Sequence, residues 1–238
     1  DLYQLTMTAG YVASRRHEAR VTFELSVRRL PGRRQFLVAA GLAQALDYLE
    51  SLQFDTPEIE WLTRLDPLRG PPEPFCEWLR HFRFRGDVWA MPEGTPFFPN
   101  EPVLRVDGPL GEAQFVETAL LAIVNFQTAI ASKAARVVRA AAGTPVMEFG
   151  ARRAHGLEAG LFAARACHIA GCESTSLVEA GRRFGIPVTG TMAHSWVQAA
   201  RSEEEAFSTF VSLFGARSVL VVDTYDVAAA LALALGAR

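Results

Sequence analysis

The sequence predicts an α/β protein whose two parts are built differently. Before about residue 110, segments with period-two alternation, such as residues 21–27, indicate strands of a small antiparallel sheet mixed with helices. From Glu112 onward, short apolar segments alternate with helical ones, an order typical of a parallel sheet or barrel. The run at 219–222 is continuously apolar, as in a strand covered on both faces.

Local patterns predict the elements of the first part. Clusters of proline and glycine at 67–73 and 92–102 predict loops. The predicted helices are 2–11 and 42–52, the predicted strands are 21–27, 86–91 and 102–108, and a short apolar segment spans 35–40.

The second part begins with a long apolar helix, predicted over 117–139 with an interruption near Asn125. Shorter units follow, and the segment 174–184 opens with small polar residues before it becomes helical. The predicted strands are 145–149, 186–190 and 218–223, and the other predicted helices are 156–170, 203–214 and 227–237.

Composition excludes several classes of protein. The formal net charge of −2 gives no general electrostatic basis for binding nucleic acid or an anionic membrane. The three cysteines are odd in number and form no CxxC pair, which argues against a disulfide framework or a zinc site and for a reducing compartment. No apolar run reaches the ~18 residues of a membrane helix. Half of the residues are hydrophobic, as in an ordinary globular protein with a core.

Chemically useful side chains follow the predicted strands of the second part. Phe149 and two arginines follow the first strand, a hydroxyl cluster at 174–176 opens the next unit, and His194 and Asp223 follow the last two strands. Active sites of β/α barrels lie at the carboxyl ends of the strands. A histidine there can titrate near neutrality and act as a nucleophile. Such a pocket suits a flat aromatic acid beside a phosphorylated sugar.

Each of these residues also has a structural interpretation. The two arginines could begin a solvated helix, the hydroxyl cluster could cap the next helix, and Asp223 could be an N-cap. His194 could be a satisfied structural histidine, and Phe149 alone is more often a core residue. Their joint occurrence at successive strand ends favours the functional interpretation.

Five segments carry a family resemblance, and they occur in order along essentially the whole chain. They are 1–7 (DLYQLTM), 36–42 (FLVAAGL), 148–153 (EFGARR), 190–196 (GTMAHSW) and 222–226 (VDTYD). With these segments the chain resembles nicotinate phosphoribosyltransferases, which are type II phosphoribosyltransferases.

The resemblance implies both the architecture and the reaction. The implied fold is an N-terminal α/β sandwich over 1–111 followed by an irregular (β/α) barrel, of which 112–238 is the first part. The implied enzyme joins nicotinate to phosphoribosyl pyrophosphate for NAD salvage, couples ATP hydrolysis through a phosphohistidine, and uses Mg²⁺. It also implies a cytoplasmic homodimer with shared active sites.

The resemblance also implies residue roles. His194 would be the phosphorylated histidine, with Asp223 accepting from its other ring nitrogen. The implied substrate-binding residues are Phe149 (stacking on the pyridine ring), Arg152 (an anionic group of the sugar), Ser176 (facing the ring substituent), Tyr3 (covering the ring from the other subunit), Thr175 and Thr191. No residue of this chain is assigned to a metal.

Departures from the family pattern leave alternatives open. The family is longer, so we expect the later barrel strands, with their acidic Mg²⁺ segment and phosphate loops, to lie outside these residues. Ser174 and Leu177 stand where the family usually has glycine and a polar residue. One alternative is an enzyme for nicotinamide, which should prefer an acidic residue at the position of Ser176. Another is an enzyme for quinolinate, which needs no phosphohistidine, so the segment 190–195 argues against it. The further alternative is a non-catalytic, truncated homologue that binds pyridine ligands.

Overall fold

The protein was examined as a computed structural model that describes residues 1–30, 32, 34–69 and 73–237. The strands are β1 (Arg20–Ser26), β2 (Leu37–Val38), β3 (Asp87–Ala90), β4 (Pro96–Phe97), β5 (Pro102–Pro109), β6 (Met147–Glu148) and β7 (Ser174–Thr175). The helices are α1 (Leu2–Ala13), α2 (Leu42–Ser51), α3 (Thr56–Leu62), α4 (Glu73–Arg80), α5 (Leu110–Phe115), α6 (Glu117–Ala140), α7 (Leu157–Ile169), α8 (Val178–Phe184), α9 (His194–Ala199), α10 (Glu203–Phe214) and α11 (Val227–Gly236).

An antiparallel sheet with the order β1-β5-β3 forms the centre of the first part. One face of the sheet packs against α2 and α6, and the shared core includes Val106 of β5, Leu49 of α2 and Leu120 of α6. This sheet-on-helix layer confirms the predicted mixed α/β architecture and the three predicted strands.

A second apolar cluster joins α1, α3 and α4, and an aromatic group that includes Phe54, Trp78 and Phe82 packs beside it. The sequence analysis missed α3 and α4. A capping box at Asp55 and Glu58 starts α3, a signal that was present in the sequence. The predicted loop at 67–73 includes 70–72, which lie outside the described residues.

Helix α6 is continuous, so the predicted interruption near Asn125 is wrong. The buried hydroxyls of Thr128 and Ser132 face the segment that contains β2: Ser132 Oγ accepts from Val38 N at 2.9 Å, and Thr128 Oγ1 donates to Ala40 O at 3.2 Å. Two side chains of the helix thus satisfy backbone groups that a wider sheet would otherwise satisfy.

The second part contains a short parallel ladder between β6 and β7, extended by a parallel bridge from Thr175 to Val188. The predicted strand at 218–223 does not form. Among the described residues, the one backbone hydrogen bond that joins it to the segment around Met192 runs from Met192 N to Val219 O at 3.4 Å. The described residues contain no closed barrel, as expected for the first part of one. The predicted boundary between 111 and 112 falls inside α5 and stays a prediction.

A half-buried ion pair connects the two parts. Glu93, in the loop between β3 and β4, accepts two hydrogen bonds from Arg165 of α7, at 2.8 and 2.6 Å. Glu93 Oε1 also accepts from the N–H groups of Gly41 and Leu42 at the start of α2. Gly41 has φ +104°, and a Cβ there would lie 3.0 Å from Ile123 O, so the turn requires glycine.

Candidate active site at the strand ends

The carboxyl ends of successive extended segments lie at one edge of the second part. Backbone bonds run from Ser176 N to Glu148 O and from Thr189 N to Thr175 O, which aligns β6, β7 and the segment around Val188 in parallel. The loops that follow carry the residues singled out from the sequence. The structure therefore brings the ends of the first three predicted strands side by side. The end of the fourth, at Asp223 and Thr224, lies next to His194.

The loop after β6 presents Phe149 and the two arginines. Phe149 is 45% exposed, unlike a core residue. Residues 151–153 form a single 3₁₀ turn, and both Arg152 and Arg153 are exposed. Neither arginine forms an ion pair with any described residue, so both guanidinium groups are available to an anionic ligand.

The hydroxyl cluster after β7 divides into a buried and an accessible part. Thr175 has no exposed surface, and its Oγ1 donates to Glu148 Oε2 at 2.7 Å and accepts from Leu177 N at 3.1 Å. Ser176 is half-buried. The expectation that the cluster caps the next helix is wrong, because the N-cap residue of α8 is Leu177 and no side chain caps this helix. The accessible hydroxyl is that of Ser176, and the substrate-binding role of Thr175 stays a prediction.

His194 is the first residue of α9, a short helix, rather than part of a turn. Its Nδ1 lies 3.2 Å from Thr224 Oγ1, and its Nε2 lies 3.8 Å from Asp223 Oδ1. The Asp223 distance is too long for a hydrogen bond. The structure therefore brings His194 and Asp223 together as predicted but gives the hydrogen bond to Thr224. Asp223 is not an N-cap; Asp226 caps α11 instead.

The structure does not connect the two remaining predicted residues to this cluster. Thr191 Oγ1 donates to Met192 O at 2.7 Å, so its hydroxyl is engaged with the neighbouring backbone. Tyr3 lies on α1, where its hydroxyl is 3.3 Å from Thr118 Oγ1 of α6. No hydrogen bond among the described residues joins Tyr3 to the strand-end residues.

Two residues of the site were missed by the sequence analysis. The first is Glu148, which accepts hydrogen bonds from Gly150 N and Thr175 Oγ1. The second is Thr224, whose hydroxyl forms the hydrogen bond with His194 Nδ1. Both stand next to residues that were singled out, Phe149 and Asp223. A carboxylate at the last position of a strand was the available signal for Glu148.

Cys167 and Cys172 provide no activated nucleophile. All three cysteines are free thiols. Burial raises the pKa of the Cys167 thiol to about 12, and burial also raises the pKa of Cys172. Because the thiolate is the reactive form, a raised pKa leaves both groups as unreactive thiols at neutral pH.

A cavity of about 510 Å³ lies elsewhere, between β1 and α6. Its lining is mostly apolar, with Leu25, Leu37 and Leu121 among the contributors, and Arg34 is the one charged residue among the described residues that line it. A phosphorylated substrate needs several cationic or N–H donors. The strand-end cluster, which has two exposed arginines and several hydroxyl groups, is therefore the better candidate site.

Comparison with known proteins identifies relatives of this chain. The sequence model of the family described as nicotinate phosphoribosyltransferase (NAPRTase) N-terminal domain matches residues 1–125. Nicotinate phosphoribosyltransferase pncB2 of Mycobacterium tuberculosis is 48% identical over 226 residues, which cover 95% of this chain and 48% of that protein. Nicotinate phosphoribosyltransferase of Bacillus subtilis is 46% identical over 226 residues, covering 95% and 45%.

Solved structures agree with the sequence relatives. Human nicotinic acid phosphoribosyltransferase superposes with a TM-score of 0.81 at 31% identity, covering all of this chain and 58% of that one. Nicotinate-nucleotide pyrophosphorylase from Pyrococcus furiosus gives a TM-score of 0.77 at 27% identity, covering 99% and 54%. The chain thus spans about half the length of the curated relatives it matches. Among the described residues, no helix is both long and apolar enough to cross a membrane.

Proposed function

The chain belongs to the nicotinate phosphoribosyltransferase family, and on that premise we propose that its strand-end cluster binds nicotinate and phosphoribosyl pyrophosphate and joins them into nicotinate mononucleotide and pyrophosphate. One observation carries the proposal most strongly. An accessible aromatic ring, two unpaired guanidinium groups, a hydroxyl and a histidine follow parallel segments at one edge.

The geometry suits the two substrates. The exposed ring of Phe149 offers a face on which a pyridine ring can stack. The half-buried hydroxyl of Ser176 carries no charge, so a carboxylate substituent on that ring meets no repulsion there. Displacement at the anomeric carbon releases pyrophosphate with several negative charges, and the guanidinium groups of Arg152 and Arg153 can stabilise them.

We assign the coupling of ATP to His194. Its side chain is 55% exposed, so a phosphoryl donor can reach Nε2. The Thr224 hydroxyl at Nδ1 can hold the ring orientation and favour one tautomer. A phosphate on His194 would place a dianion at this edge and attract cationic side chains, which gives ATP a way to change the affinity for the sugar phosphate.

We propose that Mg²⁺ binds together with the diphosphate group of phosphoribosyl pyrophosphate, because Mg²⁺ usually binds through substrate phosphates and one or two carboxylates. The described residues contain no group of three or more His, Cys, Asp or Glu side chains placed to hold a metal. The described residues alone therefore do not form a binding site for Mg²⁺, and we assign no step of the reaction to a metal bound only by them.

The quaternary arrangement and location are also proposals. We propose a homodimer in which Tyr3 of one subunit covers the ring bound by the other. Its support is the family resemblance and the position of Tyr3, 40% exposed on α1. A cytoplasmic location rests on three free thiols and the family.

A substrate comparison tests the proposed reaction against its alternatives. Nicotinate, nicotinamide and quinolinate are each incubated with phosphoribosyl pyrophosphate, with and without ATP, and the mononucleotide is quantified by chromatography. We expect product from nicotinate and stimulation by ATP. Preference for nicotinamide or quinolinate would assign one of the neighbouring reactions. Binding of nicotinate without any turnover by the natural gene product would support a non-catalytic protein.

A further inference from the structure

Glu148 joins the two loops that carry the proposed substrate-binding side chains. Its Oε1 accepts from the N–H of Gly150, in the loop that holds Phe149 and Arg152. Its Oε2 accepts from the hydroxyl of Thr175, next to Ser176, at 2.7 Å. The two ends of one carboxylate therefore hold residues that are 25 positions apart in the chain.

We propose that Glu148 is a positioning residue that fixes Phe149 and Arg152 relative to Ser176 through Gly150 and Thr175. This inference rests on the proposed function of these loops. In this proposal Glu148 does not contact the substrate. It sets the distance between the aromatic ring of Phe149 and the hydroxyl of Ser176.

The neighbourhood of Glu148 is built around its carboxylate. A Cβ on Gly150 would lie 2.9 Å from Glu148 Oε1, so residue 150 must be glycine for the carboxylate to occupy this position. Gly150 has ordinary helical backbone angles, φ −87° and ψ −5°, so the requirement concerns space rather than conformation. Gly150 O in turn accepts from Arg153 N and starts the 3₁₀ turn that contains Arg152.

The second hydrogen-bond partner of the Glu148 carboxylate is the buried hydroxyl of Thr175, which forms two hydrogen bonds. Thr175 has no exposed surface, so its Oγ1 cannot exchange Glu148 for water. The same oxygen accepts from Leu177 N at 3.1 Å and so fixes the backbone on the far side of Ser176. Ser176 N also donates to Glu148 O at 3.0 Å. The buried hydroxyl of Thr175 therefore holds a single geometry, because turning away from Glu148 and Leu177 would leave it unsatisfied.

Thr175→Val tests the link between Glu148 and Thr175, because valine keeps the shape of threonine and removes the hydroxyl that donates to Glu148. Amide exchange at Gly150 is followed by NMR, and the kinetic constants for nicotinate are measured on the natural gene product. Without its Thr175 partner the carboxylate is free to turn away from Gly150. We expect exchange at Gly150 to become about ten-fold faster and the KM for nicotinate to rise about ten-fold, the equivalent of one hydrogen bond, with kcat changed less.

Two further variants separate positioning from general destabilisation. Thr175→Ser keeps the hydroxyl and should restore both values. Ser132→Ala removes another buried hydroxyl, which bonds Val38 N and Thr128 O and no residue of these two loops. It should lower the melting temperature while leaving exchange at Gly150 and the KM for nicotinate as in the wild type.

The inference is overturned if Thr175→Val leaves exchange at Gly150 unchanged, or if Ser132→Ala shifts exchange and KM as much as Thr175→Val does. The exchange measurement needs no substrate. If the wild type makes no nicotinate mononucleotide, the proposed reaction fails, and exchange at Gly150 still decides whether Glu148 joins the two loops.

Discussion

Replacing Glu93 with glutamine should destabilise the protein by separating its two parts. The carboxylate of Glu93 receives four hydrogen bonds, two from Arg165 and one each from the N–H groups of Gly41 and Leu42. Glutamine keeps one oxygen to accept from the start of α2, but its amide nitrogen would face the guanidinium of Arg165. Two donors would then oppose each other, and Arg165 would lose its counter-ion.

The magnitude follows from the burial of the pair. Hydrogen bonds to charged groups contribute roughly 1.5–3 kcal/mol each, and removing one partner of a buried pair costs about 3–5 kcal/mol. Both side chains are 18% exposed, so water can replace part of the loss. We therefore expect the lower limit, about 3 kcal/mol. For a chain of this size that corresponds to roughly 6–12 °C in the melting temperature.

Thermal unfolding monitored by circular dichroism measures this effect, and Glu179→Gln is the matched control. Glu179 forms an exposed pair with Arg182 on α8, and such pairs contribute little to stability. The control should melt as the wild type does. If Glu93→Gln also melts with the wild type, the ion pair does not hold the two parts together, and this explanation of their contact is wrong.

The same pair predicts a dependence on pH. Burial raises the pKa of Glu93, but the hydrogen bonds from Arg165, Gly41 and Leu42 outweigh burial and leave it below its ordinary value. The carboxylate therefore contributes stability above the unfolded pKa of about 4.3, and this contribution is lost as the pH falls through the lower folded value. The difference in stability between wild type and Glu93→Gln should be constant near neutrality and should shrink below about pH 4.

Three predictions concern the strand-end site. Phe149→Ala should weaken nicotinate binding by roughly 1–3 kcal/mol in calorimetry, through lost stacking and buried area; unchanged affinity with a collapse in stability would make Phe149 a core residue. Thr224→Val should change the tautomer ratio of His194 in ¹⁵N spectra, whereas an unchanged ratio would mean that the Thr224 contact does not set it. Mixing His194→Asn, which lacks ATP-stimulated activity, with inactive Tyr3→Ala should restore at most about a quarter of the wild-type ATP-stimulated activity, because half of the dimers contain one intact site; no recovery despite subunit exchange would place Tyr3 outside a shared site.

Much of the fold could be predicted from local patterns. Period-two alternation located β1, and the helix predicted at 203–214 coincides with α10, which Ser202 caps before three glutamates. The strand predicted at 218–223 failed because a strand needs a neighbour to complete its ladder, and apolar composition does not supply one. The continuous course of α6 past Asn125 also depends on tertiary packing, which overrides a residue's weak local preference.

The candidate site could be predicted in its parts but not in its connections. Side chains that follow parallel strands meet at one edge, so Phe149, Ser176 and His194 could be grouped from sequence order. The hydrogen bonds among them depend on distances that no sequence pattern contains. The family resemblance implies Asp223 as the partner of His194, whereas the hydrogen bond between His194 and Thr224 and the role of Glu148 are visible only in the structure.

The role of the strand-end cluster is tested most directly by the yield of nicotinate mononucleotide with and without ATP, in the wild type and in His194→Asn. ATP labelled on its γ-phosphate is supplied in the same reactions. We expect ATP to raise the yield and to leave an acid-labile label on the wild type. His194→Asn should lose both effects while keeping some ATP-independent transfer. Full labelling and full ATP stimulation in His194→Asn, or no nicotinate mononucleotide from the wild type under any condition, would contradict the proposed site.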